Sequence, residues 1–441
     1  MFDIIIPDKV QIILDLLNKN NFEAFAVGGC VRDSFLGRIP HDWDICTSAT
    51  PEQMLECFKD YKTIETGLKH GTLTVMLDNE AFEVTTYRVD GEYTDNRHPD
   101  KVIFVDDIEK DLSRRDITIN AMAYHPQKGL VDFFGGYEDL QNKIIRCVGN
   151  PDHRFNEDAL RIMRVLRFAS TYGFTIEKET ENSLRKNKAL LHNIAVERIN
   201  TELCKLLKGP GAKDILLDYK EIIGEIIPEF VPCFDFNQNN PYHQYDVYSH
   251  IVHALDNYDG SDFYSVLALF FHDIGKPLCY SEDEKGGHFY DHGTVSGKLT
   301  EKILKRMRFD NVTVKNVTEL VLHHNIDIHP SKKVIRKWLN KLGEEQFKRL
   351  LDIQKADILA HSDMGRMKKL NDLYLVFAKF EEVLEEQSCF SLKDLAVNGK
   401  DLIAAGISEG PEIGKTLNKL LEMVINEEIE NDKEKLMKIL K

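Results

Sequence analysis

Two aspartates near the start of the sequence have the spacing of a metal-binding carboxylate pair. Asp42 and Asp44 flank a single residue in the segment HDWD. In a β-strand, residues i and i+2 point to the same face, so the two carboxylates would lie side by side. Such a pair suits Mg²⁺ ions that activate a hydroxyl and stabilise a leaving pyrophosphate. A solvated turn is the alternative interpretation of so short a pattern.

Residues that could bind phosphate precede this pair. The segment GGCVRD contains Gly28 and Gly29, where backbone N–H groups could approach phosphate oxygens, and Arg32, which could pair with them. After the pair, Glu83 is predicted on a strand and could supply a third carboxylate to a metal. An ordinary glutamate at a strand edge is an equally good interpretation of Glu83.

A second basic segment, RRD, lies further along the chain. Arg114 and Arg115 place two guanidiniums beside the carboxylate of Asp116. This combination suits a triphosphate and a ribose hydroxyl, although a surface cluster of ion pairs would have the same composition.

The segment EDALR combines a carboxylate with a guanidinium. Asp158 and Arg161 are three residues apart, so on one helix they would be neighbours. A carboxylate can accept a hydrogen bond from the exocyclic amine of cytosine or adenine, and an arginine can donate to the ring acceptor beside it. An ion pair within the helix is the alternative. Arg164 and Arg167 continue the helix and would extend a basic face toward the nucleotide or the RNA end.

Histidines are concentrated in the second half of the chain. Ten of the sixteen lie between His243 and His361, and with two aspartates they form the pattern H…HD…D on predicted helices. Imidazole and carboxylate groups in one cavity suit Mn²⁺, Fe²⁺, Ni²⁺ or Mg²⁺. This pattern therefore predicts a second, separate metal site.

The elements that must position these residues change along the chain. Strand-like and helical segments alternate over the first part, which predicts a mixed α/β fold, whereas long helical periodicity follows from Pro151 onward. The Pro/Asn-rich stretch 232–241 is typical of a linker. We predict four parts: an α/β head (1–145), a helical neck and body (146–235), a helical histidine-rich domain (241–370) and a small helical tail (371–441).

Composition narrows the class of protein. The 441 residues are 42% hydrophobic and 29% charged, which excludes wholesale disorder and fibrous repeats. The net charge is −16, but residues 143–220 contain fifteen Lys/Arg against ten Asp/Glu, which suits contact with nucleic acid. The eight cysteines form no CxxC pair, and the apolar run Val266–Phe271 is too short to span a bilayer. We expect a soluble, cytoplasmic protein with no membrane partner.

The first half of the chain resembles a known family. GGCVRD, HDWD, GTLTV, RRDITINAM, DFFGG and EDALRIMRVLRFAS occur in the order and spacing of bacterial class II tRNA nucleotidyltransferases, the CCA-adding enzymes, whose relatives include poly(A) polymerases. The resemblance implies a polymerase-β-like head followed by an all-α neck and body. It also implies that Asp42 and Asp44 are catalytic and hold Mg²⁺. The implied nucleotide-binding residues are Gly28, Gly29, Arg32, Arg114, Arg115, Asp116, Asp158, Arg161, Arg164 and Arg167.

The histidine-rich part resembles the HD phosphohydrolase superfamily over residues 245–360, where the segment HDIGK carries the histidine–aspartate doublet. The resemblance implies that a divalent metal such as Mn²⁺, Ni²⁺ or Mg²⁺ is held by four residues: His250, His272, Asp273 and Asp357. It implies His292 and either His323 or His324 at a second metal. A metal-bound water would attack a phosphoester, such as a 2′,3′-cyclic end of a damaged tRNA. A domain retained only as a scaffold is the alternative.

Together these features predict template-independent addition of CCA to tRNA 3′ ends. CTP and ATP would be the nucleotides, and tRNA would bind through its acceptor arm and 3′ end. A full-length segment between HDWD and RRD that keeps Arg88 and Arg97 favours completion of the terminal A. Two alternatives remain at this point: a poly(A) polymerase or A-adding tRNA nucleotidyltransferase, and a metal-dependent HD phosphohydrolase with an RNA-binding head.

Overall fold

A computed structural model describes residues 4–91, 102–284 and 286–440, so Arg97 lies outside the described residues. Contacts divide the chain into two units, Met1–Pro228 and Glu229–Lys441. The finer division into four parts therefore stays a prediction.

The first unit begins with the strands and short helices of an α/β head. Its strands are β1 (Ala24–Val27), β2 (Ile45–Thr47), β3 (Lys62–Ile64), β4 (Thr72–Leu77), β5 (Glu80–Thr86), β6 (Arg88–Asp90), β7 (Val102–Phe104), β8 (Ala123–His125), β9 (Gly129–Val131), β10 (Ile144–Ile145) and β11 (Thr175–Ile176). Its helices are α1 (Asp8–Lys19), α2 (Gly29–Phe35), α3 (Pro51–Cys57), α4 (Ile108–Ser113), α5 (Gly136–Gln141), α6 (Pro151–Glu157), α7 (Leu160–Tyr172), α8 (Lys178–Asn187), α9 (Val196–Leu207), α10 (Ala212–Asp218) and α11 (Lys220–Ile226).

Within the described residues, seven strands form the main sheet in the order β3-β4-β5-β2-β1-β8-β9. β2 and β5 pair in parallel, and the other neighbours in this sheet are antiparallel. Along β5, Phe82 and Val84 point into the core while Glu83 is exposed, as the period of two requires. The mixed sheet confirms the predicted α/β head, including the strands in GTLTVML and AFEVTTYR.

Amphipathic helices cover this sheet and form the rest of the unit. α1 buries Val10, Ile13, Leu14 and Leu17, which recur at helical spacing, and Ile13, Leu14 and Leu17 pack with Phe58 in the head core. After residue 150 the regular elements of this unit are helices apart from the two-residue strand β11, as predicted. The expectation of one continuous helix through EDALR is wrong, because α6 ends at Glu157 and α7 begins at Leu160.

The second unit is mainly helical. Its helices are α12 (Val247–Asp256), α13 (Phe263–Phe271), α14 (His292–Arg306), α15 (Asn311–His323), α16 (Lys332–Leu342), α17 (Glu344–Ala360), α18 (Asp363–Glu385), α19 (Gly399–Ala404), α20 (Pro411–Ile425) and α21 (Lys433–Ile439), and β12 (Tyr280–Asp283) pairs with β13 (Gly286–Phe289). None of the described helices combines the length and the apolar composition that crossing a membrane requires.

Candidate functional site

The candidate carboxylate pair lies just before the start of β2, a central strand of the head sheet. Asp42 and Asp44 are both exposed, and they lie in the segment immediately before β2 rather than on a strand. The expectation of a strand at these residues is therefore wrong, although the backbone carbonyl of Asp44 accepts a hydrogen bond from Val27 at 2.9 Å and so continues alongside β1. Exposure suits carboxylates whose metal ions also bind an incoming substrate.

Asp44 has three charged neighbours. Packing around the carboxylate raises its pKa, Arg115 lowers it, and Glu83 and Asp42 raise it further. Glu83 is thus close enough to influence the pKa of Asp44, and its role as a third metal ligand stays a prediction. A cluster of like charges is costly without a cation, so the donor set fits a divalent metal.

Gly28 permits a close approach of one arginine. Its φ of +79° lies in the left-handed region, and a Cβ atom there would lie 2.9 Å from Nη1 of Arg115. Any side chain at Gly28 would therefore displace the guanidinium. The structure brings Gly28 and Arg115 together beside Asp44, as a phosphate-binding corner requires.

Arg32 is fixed by two polar partners. Its Nε and Nη2 donate to the carboxylate of Asp33 at 2.9 and 3.0 Å, and its Nη1 donates to Oδ1 of Asn120. Asn120 in turn donates to Asp116 at 3.1 Å. Sequence reasoning missed Asn120, which joins the segment RRDITINAM to the GGCVRD helix.

The carboxylate that accompanies Arg114 and Arg115 is not Asp116. Arg114 donates two hydrogen bonds to buried Asp111 at 2.9 and 3.0 Å, and Arg115 lies 3.6 Å from the same residue. The predicted local grouping of the three residues is wrong in this respect, because the last turn of α4 turns Asp111 toward both arginines. Its spacing of three and four residues from them was the signal available in the sequence.

Asp116 belongs to a different network. It accepts hydrogen bonds from the backbone N–H of Ile117 at 2.9 Å and from Arg164 at 2.7 Å. Burial alone would raise the pKa of Asp116, but Arg164, Asn120 and Ile117 lower it to about 2. Asp116 is therefore a firmly ionised carboxylate that orients Arg164.

Asp158 and Arg161 do not pair with each other. Asp158 caps the start of α7 by accepting from the N–H of Leu160 and forms an ion pair with Arg198 at 2.8 Å. Arg161 pairs with Glu157 at 2.5 Å and donates to the backbone carbonyls of residues 114 and 154. The prediction that the two side chains are neighbours on one helix face is wrong, because the helix is interrupted between Asp158 and Arg161. Each side chain instead has its own support.

Arg164 and Arg167 are balanced by a buried acid that sequence reasoning missed. Glu202 on α9 lies 2.9 Å from Arg167 and 3.9 Å from Arg164. Burial lowers the pKa of Arg167, whereas Asp116 and Glu202 outweigh burial and raise that of Arg164. The predicted basic face is thus present as a set of paired guanidiniums rather than free charges.

In the second unit, the predicted ligands converge. Potential ligand atoms of His250, His272, Asp273 and Asp357 all lie within 4.8 Å of one another. Nε2 of His250 lies 2.8 Å from Asp357, and Nε2 of His272 lies 3.2 Å from Asp273. His272 and Asp273 follow α13, and the other two residues lie on α12 and α17. Three helices thus place four ligands in one buried cluster.

The backbone orients three of the imidazoles in the same way. Nδ1 of His272, His292 and His324 each lies 2.7 Å from the carbonyl oxygen three residues earlier. A carbonyl only accepts, so each Nδ1 carries the proton and Nε2 keeps the lone pair of the neutral ring. This is the tautomer that binds metal through Nε2.

Asp273 has two oxygens that face two groups of ligands. Oδ2 lies near His250 and His272, whereas Oδ1 lies 3.3 Å from His292 and 3.4 Å from His324. Oδ1 of Asp273 and Nε2 of His272 are both buried without a hydrogen-bond partner. Orphaned ligand atoms in a buried cluster suit metal binding, and Asp273 could serve as a ligand in both groups.

The pKa values of the clustered histidines shift in both directions. Burial lowers the pKa of His250, and it lowers those of His292 and His361 to about 4. Burial also opposes the charging of His272, but Asp273 outweighs it and raises the pKa to about 10. Such a proton is one that a bound divalent cation would replace.

The structure chooses between the two candidate histidines. Within the described residues, His324 joins Asp273 and His292 in a second group, while the ring of His323 packs against Trp338. Sequence reasoning missed His243 and His361, which form a further group with His250. No motif marks these two residues.

Packing and a cavity complete the site. A Cβ on Gly275 would lie 2.6 Å from the backbone of Ser296, so glycine in HDIGK lets α14, which carries His292, approach. Buried Lys276 forms an ion pair with Asp273 at 2.7 Å. The cluster opens into a cavity of about 750 Å³, which Tyr242, Lys368 and Lys369 also line. That volume is in the range of small-ligand sites.

Three family models match the chain. One described as "Poly A polymerase head domain" matches residues 24–146. One described as "Probable RNA and SrmB- binding site of polymerase A" matches residues 173–232, and one described as "tRNA nucleotidyltransferase domain 2 putative" matches residues 289–440.

Two relatives that align with nearly the whole chain are CCA-adding enzymes. The CCA-adding enzyme of Lactobacillus helveticus (strain DPC 4571) is 35% identical over 99% of this chain and 98% of its own length. That of Ligilactobacillus salivarius (strain UCC118) is 34% identical over 98% and 96%. A crystal structure of the Bacillus stearothermophilus CCA-adding enzyme in complex with CTP is 28% identical, with a TM-score of 0.68 over 99% of this chain and 97% of that chain. The Thermotoga maritima enzyme complexed with tRNA shares the fold at 21% identity, with a TM-score of 0.59 over 99% and 95%.

Proposed function

The chain belongs to the class II CCA-adding enzymes, and from that premise we propose that Asp42 and Asp44 hold the Mg²⁺ ions of template-independent CCA addition. The protein is a tRNA nucleotidyltransferase whose substrates are tRNA, CTP and ATP. The observation that carries the proposal is the exposed carboxylate pair beside Arg115 and Glu83. When bound, Mg²⁺ would promote attack of the terminal ribose hydroxyl on the α-phosphate and stabilise the leaving pyrophosphate.

We propose that the arginines around Gly28 bind the triphosphate. Arg115 lies against Gly28, and Arg32 is fixed by Asp33 and Asn120, so both guanidiniums are oriented before substrate arrives. Preorganised donors stabilise developing charge without the cost of reordering them. Asp116 is in place to orient Arg164, and it could also accept from a ribose hydroxyl.

Base selection is assigned to Asp158 and Arg161. Asp158 has an acceptor that cytosine and adenine can both satisfy through their exocyclic amines, and Arg198 fixes its orientation. Arg161 uses three of its N–H donors on Glu157 and two backbone carbonyls, which leaves donors for a ring acceptor. Separate supports for the two groups suit a site that must read C and then A.

We propose that the positive stretch 143–220 contacts the acceptor end of tRNA. It contains fifteen Lys/Arg against ten Asp/Glu, and counterion release favours such a surface for RNA. The tail 371–441 is a candidate for further tRNA contact. The cytoplasm is the proposed compartment, since all eight cysteines are free.

A second activity is proposed for the histidine cluster: hydrolysis of a phosphoester, such as a 2′,3′-cyclic RNA end. The bridging position of Asp273 between two histidine groups supports it. His250, His272, Asp273 and Asp357 would hold the first ion, and His292 and His324 the second, with Mn²⁺, Ni²⁺ or Mg²⁺ as candidates. Release of CMP isomers from 2′,3′-cyclic CMP with each metal tests this activity, and no turnover with any of them would contradict it.

Nucleotide addition is tested on a tRNA that ends at its discriminator base. The purified chain is incubated with CTP, with ATP and with both, and the 3′ ends are sequenced. We expect CC with CTP alone and CCA with both nucleotides. A second tRNA that already ends in CC is the comparison: addition of A to it alone would indicate an A-adding enzyme, and runs of A would indicate a poly(A) polymerase.

A further inference from the structure

An aromatic pair lies on the last turns of α7. Phe168 and Tyr172 are four residues apart, and their rings stack with centroids 6.2 Å apart and an interplanar angle of 7°. Cζ of Arg167 lies 3.4 Å from the centroid of Phe168, and Cζ of Arg164 lies 5.4 Å from it. The pair therefore lies among the arginines of the head and neck.

Tyr172 ties this helix to the GGCVRD helix. Its hydroxyl donates to Oδ1 of Asp33 at 3.0 Å, the same oxygen that accepts from Nε of Arg32. Cζ of Arg32 lies 5.0 Å from the centroid of the Tyr172 ring. One side chain thus contacts both members of the Arg32–Asp33 ion pair.

A second guanidinium lies against the same ring. Cζ of Arg38 lies 4.9 Å from the Tyr172 centroid, which is cation–π distance. The backbone N–H of Arg38 donates to the carbonyl of Asp33 at 2.9 Å, so the segment that carries it is anchored to the end of α2.

Arg38 differs from the other arginines of this site in its charge balance. Arg32, Arg164 and Arg167 each have a carboxylate within 3 Å. Arg38 is exposed, and no carboxylate of the described residues forms an ion pair with it. It also lies four residues before Asp42, on the segment that leads into the metal-binding pair. An exposed, unneutralised guanidinium in this position is available to an anion.

We propose that Arg38 is a further phosphate-binding residue of the nucleotidyltransferase site, and that the Tyr172 ring is the positioning residue that holds Arg38 beside Arg32. The ligand is a phosphate oxyanion, from either the nucleotide triphosphate or the 3′-terminal backbone of the RNA. The proposal rests on the proposed role of Arg32 and Asp42 in nucleotide addition.

The test of Arg38 is steady-state kinetics on the full chain with tRNA lacking CCA. For Arg38→Ala, we expect KM to rise about tenfold for one substrate with kcat little changed, because one charge-assisted contact is lost. A rise for both CTP and ATP assigns the contact to the triphosphate, and a rise for tRNA assigns it to the RNA. The matched control is Arg308→Ala, an exposed arginine of the second unit. Unchanged KM values for all three substrates would overturn the proposal.

The test of Tyr172 separates positioning from folding. Tyr172→Phe keeps the ring and removes the hydroxyl, whereas Tyr172→Leu removes both. We expect Tyr172→Leu to raise the same KM as Arg38→Ala, the Phe variant to preserve it, and Tyr172→Leu/Arg38→Ala to be no worse than either single change. Additive losses in the double variant, or a Leu variant with the parent KM, would refute the positioning role.

The outcome for Arg38 can be told apart from failure of the proposed function. If the parent chain adds C and A but Arg38→Ala behaves like it, only the Arg38 proposal fails. If Arg32→Ala also keeps the parent KM for CTP and ATP, the assignment of the triphosphate site itself is wrong.

Discussion

The two candidate metal sites are built in opposite ways. In the head, Asp42 and Asp44 are exposed. Among the described residues, neither belongs to a group of three potential ligand atoms that lie within 4.8 Å of one another. In the second unit, His272 and Asp273 are almost fully buried, and three overlapping groups of ligand atoms converge there. One site offers two carboxylates to the solvent, and the other encloses its ligands.

The difference in exposure bears on how a metal ion would reach each site. Mg²⁺ is commonly held by one or two carboxylates together with substrate phosphates and water. An open pair therefore suits ions that arrive with the triphosphate and leave with pyrophosphate. A buried cluster of imidazoles around the carboxylates of Asp273 and Asp357 suits an ion that stays with the protein between turnovers.

Removing an aspartate of the open pair has the largest expected effect. In Asp42→Ala, we expect nucleotide addition to fall by about 10³-fold, because charge on the attacking and leaving oxygens loses its metal support. Incorporation of labelled CTP into tRNA measures it, with Asp60→Ala as the matched control for an exposed aspartate of the head. Hydrolysis at the histidine cluster should be unchanged. Addition at the parent rate would remove Asp42 from the catalytic site.

At the histidine cluster, we expect a substitution to abolish hydrolysis and to leave nucleotide addition unchanged. In Asp273→Ala, we expect loss of the metal retained through gel filtration and loss of phosphoester hydrolysis, with nucleotide addition unchanged. Metal analysis by mass spectrometry measures the first effect without any assay of activity.

Because the Ala variant also leaves Lys276 without its partner, His292→Ala is the second variant. It removes one ligand from the Oδ1 side of Asp273 and should weaken metal retention less. Parent-level metal content in both variants would mean that the cluster does not hold a metal.

The sequence predicted the histidine cluster better than the partners of the arginines. The four ligands that the resemblance to HD phosphohydrolases implied do converge, whereas the metal role of Asp42 and Asp44 in HDWD stays a prediction. The partner of Asp158 could not be found in this way, since Arg198 is forty residues further along the chain. Glu202, which lies near both Arg164 and Arg167 in space, is also remote from them in sequence.

Local geometry decided the remaining errors. The segment EDALR continues the apolar periodicity of a helix, but Asp158 has φ −137° and ψ 103°, so the helix stops there. The choice between His323 and His324 depends on the rotation of α15 against its neighbours, which periodicity does not determine. His243 and His361 stand outside any motif, and only the packed structure brings them to His250.

Base choice tests whether nucleotide recognition depends on the ion pairs that support Asp158 and Arg161. In Arg198→Ala, we expect Asp158 to lose its fixed orientation and the preference for C and A over G and U to fall about tenfold, within the range of one hydrogen-bonded discrimination. Arg161→Ala should relax selectivity at least as much. Single-nucleotide incorporation with each of the four triphosphates measures it. Arg185→Ala, which removes half-buried ion pairs with Glu181 and Glu221 in the same helical part, is the control. Parent selectivity in both variants would contradict the assignment.

The smallest expected effect concerns a buried carboxylate that side chains, rather than a metal, keep ionised. The pKa of Asp116 is about 2, well below its value in an unfolded chain, since Arg164 and hydrogen bonds outweigh burial. A depressed pKa contributes stability above about pH 4, and that contribution, ~2 kcal/mol, is lost as the pH falls toward 2. In Arg164→Met, burial should raise the pKa, so the variant loses this stability at neutral pH. The difference in free energy of unfolding between parent and variant, from urea titrations that follow the first unit, should be largest at pH 7 and shrink below pH 4. A difference that stays constant down to pH 2 would mean that Arg164 stabilises the head by packing alone. Asp116 would then not need the charge of Arg164 to stay ionised, in contrast to the dependence on a metal that is proposed for Asp273.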